Sequence, residues 1–127
     1  MLESIKLKEN SNKDIALITI NSTQNNTLLL AKDINGKQLT LTSLGLALKK
    51  KRGKRSVASG AQLSGEIMAT KLIELGYSKL YIKVKGFGRG RESALFGLAS
   101  SGLIIEQLMD VTPIPHNGCR KKKSRRI

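Results

Sequence analysis

The chain has 127 residues, 39% of them hydrophobic, and carries 23 basic against nine acidic side chains for a net charge of +14. This length suits one domain with a real core, and no apolar run approaches the roughly 18–20 residues that span a bilayer. The single cysteine, Cys119, excludes an internal disulfide framework and fits a reducing compartment.

Residues 1–13 are polar and expected to fray, and MLESIKLKEN reads neither as a secretory signal nor as a transit peptide. IALITIN (Ile15–Asn21) and TLLLAKD (Thr27–Asp33) read as strands separated by the polar loop STQNN. The Asn35-Gly36 turn signal returns KQLTLTS (Lys37–Ser43) as the third strand of a meander, Leu39 and Leu41 alternating with Thr40 and Thr42 as in a half-buried strand. LGLALKKKRGKRS follows as a linker whose basic half cannot be buried. A helix begins near Val57, with Ala61, Ser64, Met68, Leu72 and Leu75 on one face and Gly76 as its stop. SKLYIKVK (Ser78–Lys85) is the clearest strand, with Leu80, Ile82 and Val84 facing one way and Tyr81, Lys83 and Lys85 the other. A second helix runs from about Arg91 to Ser101, with Leu95, Leu98 and Ala99 inward, and LIIEQLMDV (Leu103–Val111) is the last strand. Beyond it TPIPHNGC, with Pro113 and Pro115, is extended loop leading to a basic end. The order βββαβαβ describes a mixed-sheet α/β domain over residues 14–111, followed by an extended basic tail, 112–127.

The positive charge is concentrated. KKKRGKR holds Lys49, Lys50, Lys51, Arg52, Lys54 and Arg55; RKKKSRR holds Arg120, Lys121, Lys122, Lys123, Arg125 and Arg126. Lys83, Lys85, Arg89 and Arg91 face only Glu92 between them, and the rest of the chain has seven bases against eight acids. Clusters on an otherwise neutral body point to a polyanion. Nucleic acid, anionic lipid and a nuclear-import receptor all read such clusters, lipid least well because KKKRGKR lacks the apolar anchors of a membrane-surface helix.

Between strand and helix lies KGFGRGRE (Lys85–Glu92), which matches neither the GxGxxG nor the GxxxxGK[ST] fingerprint. It places Arg89 and Arg91 where a helix opens, the end at which positive charge is least favourable, so an anion is expected there. In one reading Gly86, Gly88 and Gly90 let backbone approach a phosphate that Lys83, Lys85, Arg89 and Arg91 surround. In the other, the glycines only turn strand into helix and Arg91 pairs with an acid such as Glu106 or Asp110. Phe87 either belongs to that turn or caps the core. With only Tyr77, Tyr81, Phe87 and Phe96, aromatics are too few for base stacking across a sheet face, and phosphate-backbone recognition fits better. The acids are scattered, and His116 with Cys119 falls short of a zinc site, so no catalysis, cofactor or metal is expected.

DVTPIPHNGCR (Asp110–Arg120) with its basic end closely resembles the C-terminal signature of the universal small-subunit ribosomal protein eleven family. GFGRGRES (Gly86–Ser93) is similar to that family's glycine–proline turn into Gly-Arg-Glu-Ser, and Asn25-Asn26-Thr27 resembles its first-hairpin element; the likeness runs from about residue 14 to the end. The resemblance implies a three-layer α/β/α domain of ribonuclease-H-like topology without nuclease activity. It implies binding to small-subunit ribosomal RNA of the platform, beside the mRNA exit and E site, with small-subunit proteins six, seven, eighteen and twenty-one as neighbours. It carries RNA-binding roles onto Asn25 and Asn26, onto Gly86, Gly88, Gly90 and Arg91 in the turn, and onto His116, Asn117, Gly118 and Arg120 in the tail. Phe87 and Arg89 stand where the bacterial pattern has prolines, as do lysines of the tail. That divergence, with abundant Lys, Asn, Ile and Leu, suits an AT-rich organelle genome, so a mitochondrial ribosome is expected ahead of a bacterial cytoplasmic or plastid one. The rivals are a nuclear chromatin or RNA-processing protein using KKKRGKR as an import signal, and a phosphate-handling enzyme using the glycine turn.

Overall fold

A computed structural model describes residues 14–48 and 58–127; the Lys49–Arg55 cluster, from which RNA contacts are expected, lies outside them, as do residues 1–13. β1 (Ile15–Ser22), β2 (Thr27–Asp33) and β3 (Gln38–Ser43) form an antiparallel meander. Thr23 and Asn26 close its first turn, the Thr23 N–H donating to Asn26 O at 2.8 Å. The Gly36 N–H donates to Asp33 O at 2.9 Å to close the second. A short helix α1 (Leu44–Leu48) and a long one, α2 (Ala58–Glu74), precede β4 (Lys79–Lys85). Helix α3 (Gly90–Ser100) then leads to β5 (Ile104–Asp110). β4 lies parallel to β1 and β5 parallel to β4, giving the sheet order β3-β2-β1-β4-β5. The α/β class, the mixed sheet and the order of its strands and long helices are those expected.

Both crossovers, β3 to β4 and β4 to β5, advance the same way along the sheet. The right-handed rule therefore puts α2 and α3 on one face. Ala16, Ile18, Ile20, Leu80, Ile82 and Val84 form one core cluster there with Met68, Leu72, Ala94 and Leu98 from the helices. No described residue forms a helix on the opposite face, where Leu17, Thr19 and Tyr81 are half-buried and Lys83 and Lys85 exposed. The two helices meet backbone to backbone: a Cβ at Gly65 would stand 2.6 Å from Ala94 O, and one at Gly97 would strike Gln62 O.

That close approach moves α3's buried stripe to Gly90, Ala94, Gly97 and Leu98. Ala99, expected inward, is exposed, and Leu95 packs only partly against the core. Leu75 falls just past the end of α2 and is also exposed. In β3 the expected faces are exchanged at one end and the alternation breaks at the other: Thr42, paired with the buried Leu29, is buried and Leu41, paired with Leu30, is 48% exposed, whereas Leu39, at the register shift, still packs against the core. The segment read as linker begins as α1, whose entry Ser43 caps by accepting the Leu46 N–H at 3.3 Å. Its first residue, Leu44, is buried in the core.

Candidate nucleic-acid interface

β4 delivers Lys83 and Lys85 to the open face of the sheet, beside Thr19 and Asn21 of β1, and both lysines are exposed. Immediately after it the chain turns at Gly86, whose φ of 94° disfavours any side chain. The backbone approach that the turn glycines permit is to the protein itself. A Cβ at Gly86 would strike Ser22 O, and one at Gly88 would strike Ser22 Oγ and Thr23 O. One at Gly90 would strike Thr27 Oγ1 and stand 2.9 Å from Ala61 Cβ. The Gly88 N–H donates to Ser22 O at 3.2 Å. The glycine turn is thus seated on the end of the β1–β2 hairpin.

Arg91 finds its anion inside the molecule. Its Nη2 donates to Asp110 Oδ2 at 2.9 Å and its Nη1 to Gly86 O at 3.0 Å. Asp110 Oδ1 accepts from the Thr112 hydroxyl at 2.6 Å and from the Thr112 N–H at 3.0 Å. Thr112 Oγ1 in turn accepts the Gly86 N–H at 3.2 Å. Both polar groups of Gly86 are therefore taken by a closed ring that ties the turn to the root of the tail. The Thr112 hydroxyl and amide, helped by the Arg91 guanidinium, hold the Asp110 carboxyl at about 2. Glu106, the other acid considered for Arg91, instead pairs with Lys79 at 3.2 Å. No side chain caps α3, whose N-cap position is Arg89.

Asn25 and Arg89 are both exposed and line one recess of about 380 Å³ together with Gln24 and Phe87. Asn26 is used differently, its Oδ1 accepting the Thr27 N–H at 2.9 Å within the hairpin turn. Phe87 does not cap the core; it is 84% exposed. From Val111 onward the chain has no helix or strand, and His116, Asn117 (φ 56°), Gly118, Arg120, Lys121, Lys122, Lys123, Arg125 and Arg126 are all exposed along it. Among the described residues the ion pairs are Lys79–Glu106 and Arg91–Asp110. The exposed basic residues of the tail are thus paired with no acid of the described residues. Sequence reasoning did not single out Gln24 or Thr112; for the latter a signal existed, since Asp followed two residues later by a backbone N–H and a hydroxyl is a local turn pattern.

The family model described as ribosomal protein S11 matches residues 16–126. The small ribosomal subunit protein uS11m of Prototheca wickerhamii is 42% identical over 116 residues, covering 91% of this chain and 89% of its own. The uS11 of Borreliella burgdorferi is 38% identical over 130 residues, covering 98% of this chain and 99% of its own. That of Kosmotoga olearia is 36% identical over 122 residues, covering 96% and 93%.

Proposed function

The chain belongs to the ribosomal protein S11 family, a structural and non-enzymatic part of the small ribosomal subunit, and from that premise we propose that it binds small-subunit RNA of the platform through phosphate contacts. The observation that carries this reading is the extended tail, exposed along its length, with Arg120 to Arg126 unengaged by any acid of the described residues. A chain without secondary structure can follow a phosphate backbone closely, and each neutralised phosphate releases counterions. Lys83, Lys85 and Arg89 extend the same positive surface across the sheet and the turn, and Lys49–Arg55 adds a second basic segment. Arg91 serves as a brace between turn and tail, and Gly86, Gly88 and Gly90 let the turn sit on the hairpin. Asn25, His116, Asn117 and Gly118 supply neutral polar contacts.

The platform beside the mRNA exit and E site is the location this family membership supports. A cleft between α3 and the edge strand β5, lined by Glu92, Leu95, Phe96, Ala99, Ile105 and Leu108 and by no lysine or arginine, suits a protein neighbour rather than RNA. Small-subunit proteins six, seven, eighteen and twenty-one are the candidates for such neighbours. The similarity to a uS11m, together with the lysine-rich departures from the bacterial tail, favours a mitochondrial ribosome.

The test is the salt dependence of binding to small-subunit RNA. Replacing Lys121, Lys122 and Lys123 with alanine is expected to flatten the log–log slope by about one unit for each phosphate left without its lysine. An unchanged slope would remove the tail from the RNA footprint.

A further inference from the structure

Phe87 is the exposed aromatic of the glycine turn, 84% accessible, and its ring is a wall shared by several surface recesses. The turn beneath it is held at both ends, by the Gly88 N–H on Ser22 O and by the Gly86 N–H on Thr112 Oγ1. The ring therefore stands on a braced support rather than on a free loop. The recess of about 380 Å³ beside it is otherwise lined by two amide side chains, Gln24 and Asn25, and one guanidinium, Arg89. A flat apolar face, donor and acceptor amides at its edge, and a cation next to them are the three features that single-stranded nucleotide recognition combines. Apart from the Phe87 ring, this recess has none of the apolar walls that a peptide partner would call for.

We propose that Phe87 is a stacking platform for one unstacked RNA base, with Gln24 and Asn25 facing the base edge and Arg89 the adjoining phosphate. This rests on the chain binding small-subunit RNA and adds a base-reading site to a footprint otherwise made of phosphate contacts. Scarce aromatics argue against stacking across a sheet face; they do not argue against one ring on a turn.

Stacking leaves a signature that phosphate contacts lack: it contributes affinity without releasing counterions. The experiment measures the dissociation constant of the full-length protein for its small-subunit RNA across a salt series. Phe87→Ala and Phe87→Leu are expected to weaken binding about 5- to 150-fold, the range for removal of one base–aromatic stack, at an unchanged salt slope. Phe87→Tyr keeps the π-face and is expected to bind like the unaltered protein. Arg89→Ala is expected to lower the slope by about one unit. Because the ring is exposed, none of the Phe87 variants is expected to move the melting temperature of the free protein. Unchanged affinity in Phe87→Ala overturns the proposal, as does Phe87→Leu binding as well as Phe87→Tyr. Normal RNA affinity with failed incorporation into subunits overturns it too, and assigns the ring to a protein neighbour. Failure of the unaltered protein to bind the RNA at any salt would instead overturn the RNA-binding reading as a whole.

Discussion

Replacing Gly88 with alanine would put a Cβ against the Ser22 hydroxyl and the Thr23 carbonyl oxygen. The hydroxyl can rotate away, but Thr23 O belongs to the backbone of a turn closed by its own hydrogen bonds to Asn26. Relief has to come from moving the glycine turn off the hairpin. That movement stretches the 3.2 Å bond from the Gly88 N–H to Ser22 O, a contribution of about 0.5–1.5 kcal/mol. Forcing an extra carbon into a tightly packed position costs typically about 1–3 kcal/mol in all. For a domain of this size each kcal/mol lowers the melting temperature by about 3–6 °C, so a fall of roughly 5–15 °C is expected for the free protein. Thermal denaturation followed by circular dichroism reads it directly, with RNA affinity measured separately at a temperature where the variant is fully folded. An unchanged melting temperature with abolished RNA binding would rule out a structural seat for Gly88. Gly88 would then be there to admit a phosphate, not to seat the turn on Ser22 and Thr23.

Arg91→Glu separates the two roles weighed for that side chain. From the helix dipole alone it gains about 0.3–1 kcal/mol and would hold or raise the melting temperature. The structure reverses the sign. The variant loses the charged hydrogen bond to Gly86 O and places a second carboxylate beside Asp110. A charged hydrogen bond is worth about 1.5–3 kcal/mol, with the lower end appropriate to a partly exposed group. A fall of several degrees is expected, together with impaired incorporation into subunits as the tail loses its anchor; a raised melting temperature would contradict the brace. Asp110 itself has a depressed carboxyl, at about 2, so the stability it contributes is present above the ordinary carboxylate range and lost as pH falls through the folded value. The stability difference between the unaltered protein and Asp110→Asn is expected to shrink between about pH 4 and pH 2. A difference that stays constant over that window would show that the carboxylate is not held by Thr112 and Arg91.

Much of the fold was legible because short-range pattern and tertiary demand agree. Leu80, Ile82 and Val84 alternate in the sequence and are buried together in the core. Gly76 stops α2 in the conformation that only glycine adopts freely, at φ 91°. Where pattern and packing part, the sequence misleads. The Leu41–Thr42 alternation is real, yet which side faces the helices depends on pairing with Leu29 and on a register shift between Ala31 and Lys32. No local pattern reveals either. Ala99 and Ala94 look equally suited to a buried stripe until the close packing at Gly65 and Gly97 sets how α3 rolls against α2. At the site, the bases that charge singled out in the strand, turn and tail are exposed, except Arg91, which is half-buried. The partner of Arg91 lies 19 residues away and was one of two acids that the sequence left open. The seat of Gly88 on Ser22 depends on where the hairpin ends, which only the assembled sheet determines.

We propose, then, a chain that works within a small ribosomal subunit in contact with its RNA. The most direct measurement is sucrose-gradient fractionation of mitochondria and of nuclei from cells expressing the tagged chain, with the gradient repeated at raised ionic strength. The chain is expected to travel with mitochondrial small-subunit RNA at low salt, and the Lys121–Lys123 alanine variant to be released at lower salt than the unaltered protein. Recovery in the nuclear fraction, or sedimentation free of small-subunit RNA at low salt, would contradict a role on small-subunit RNA.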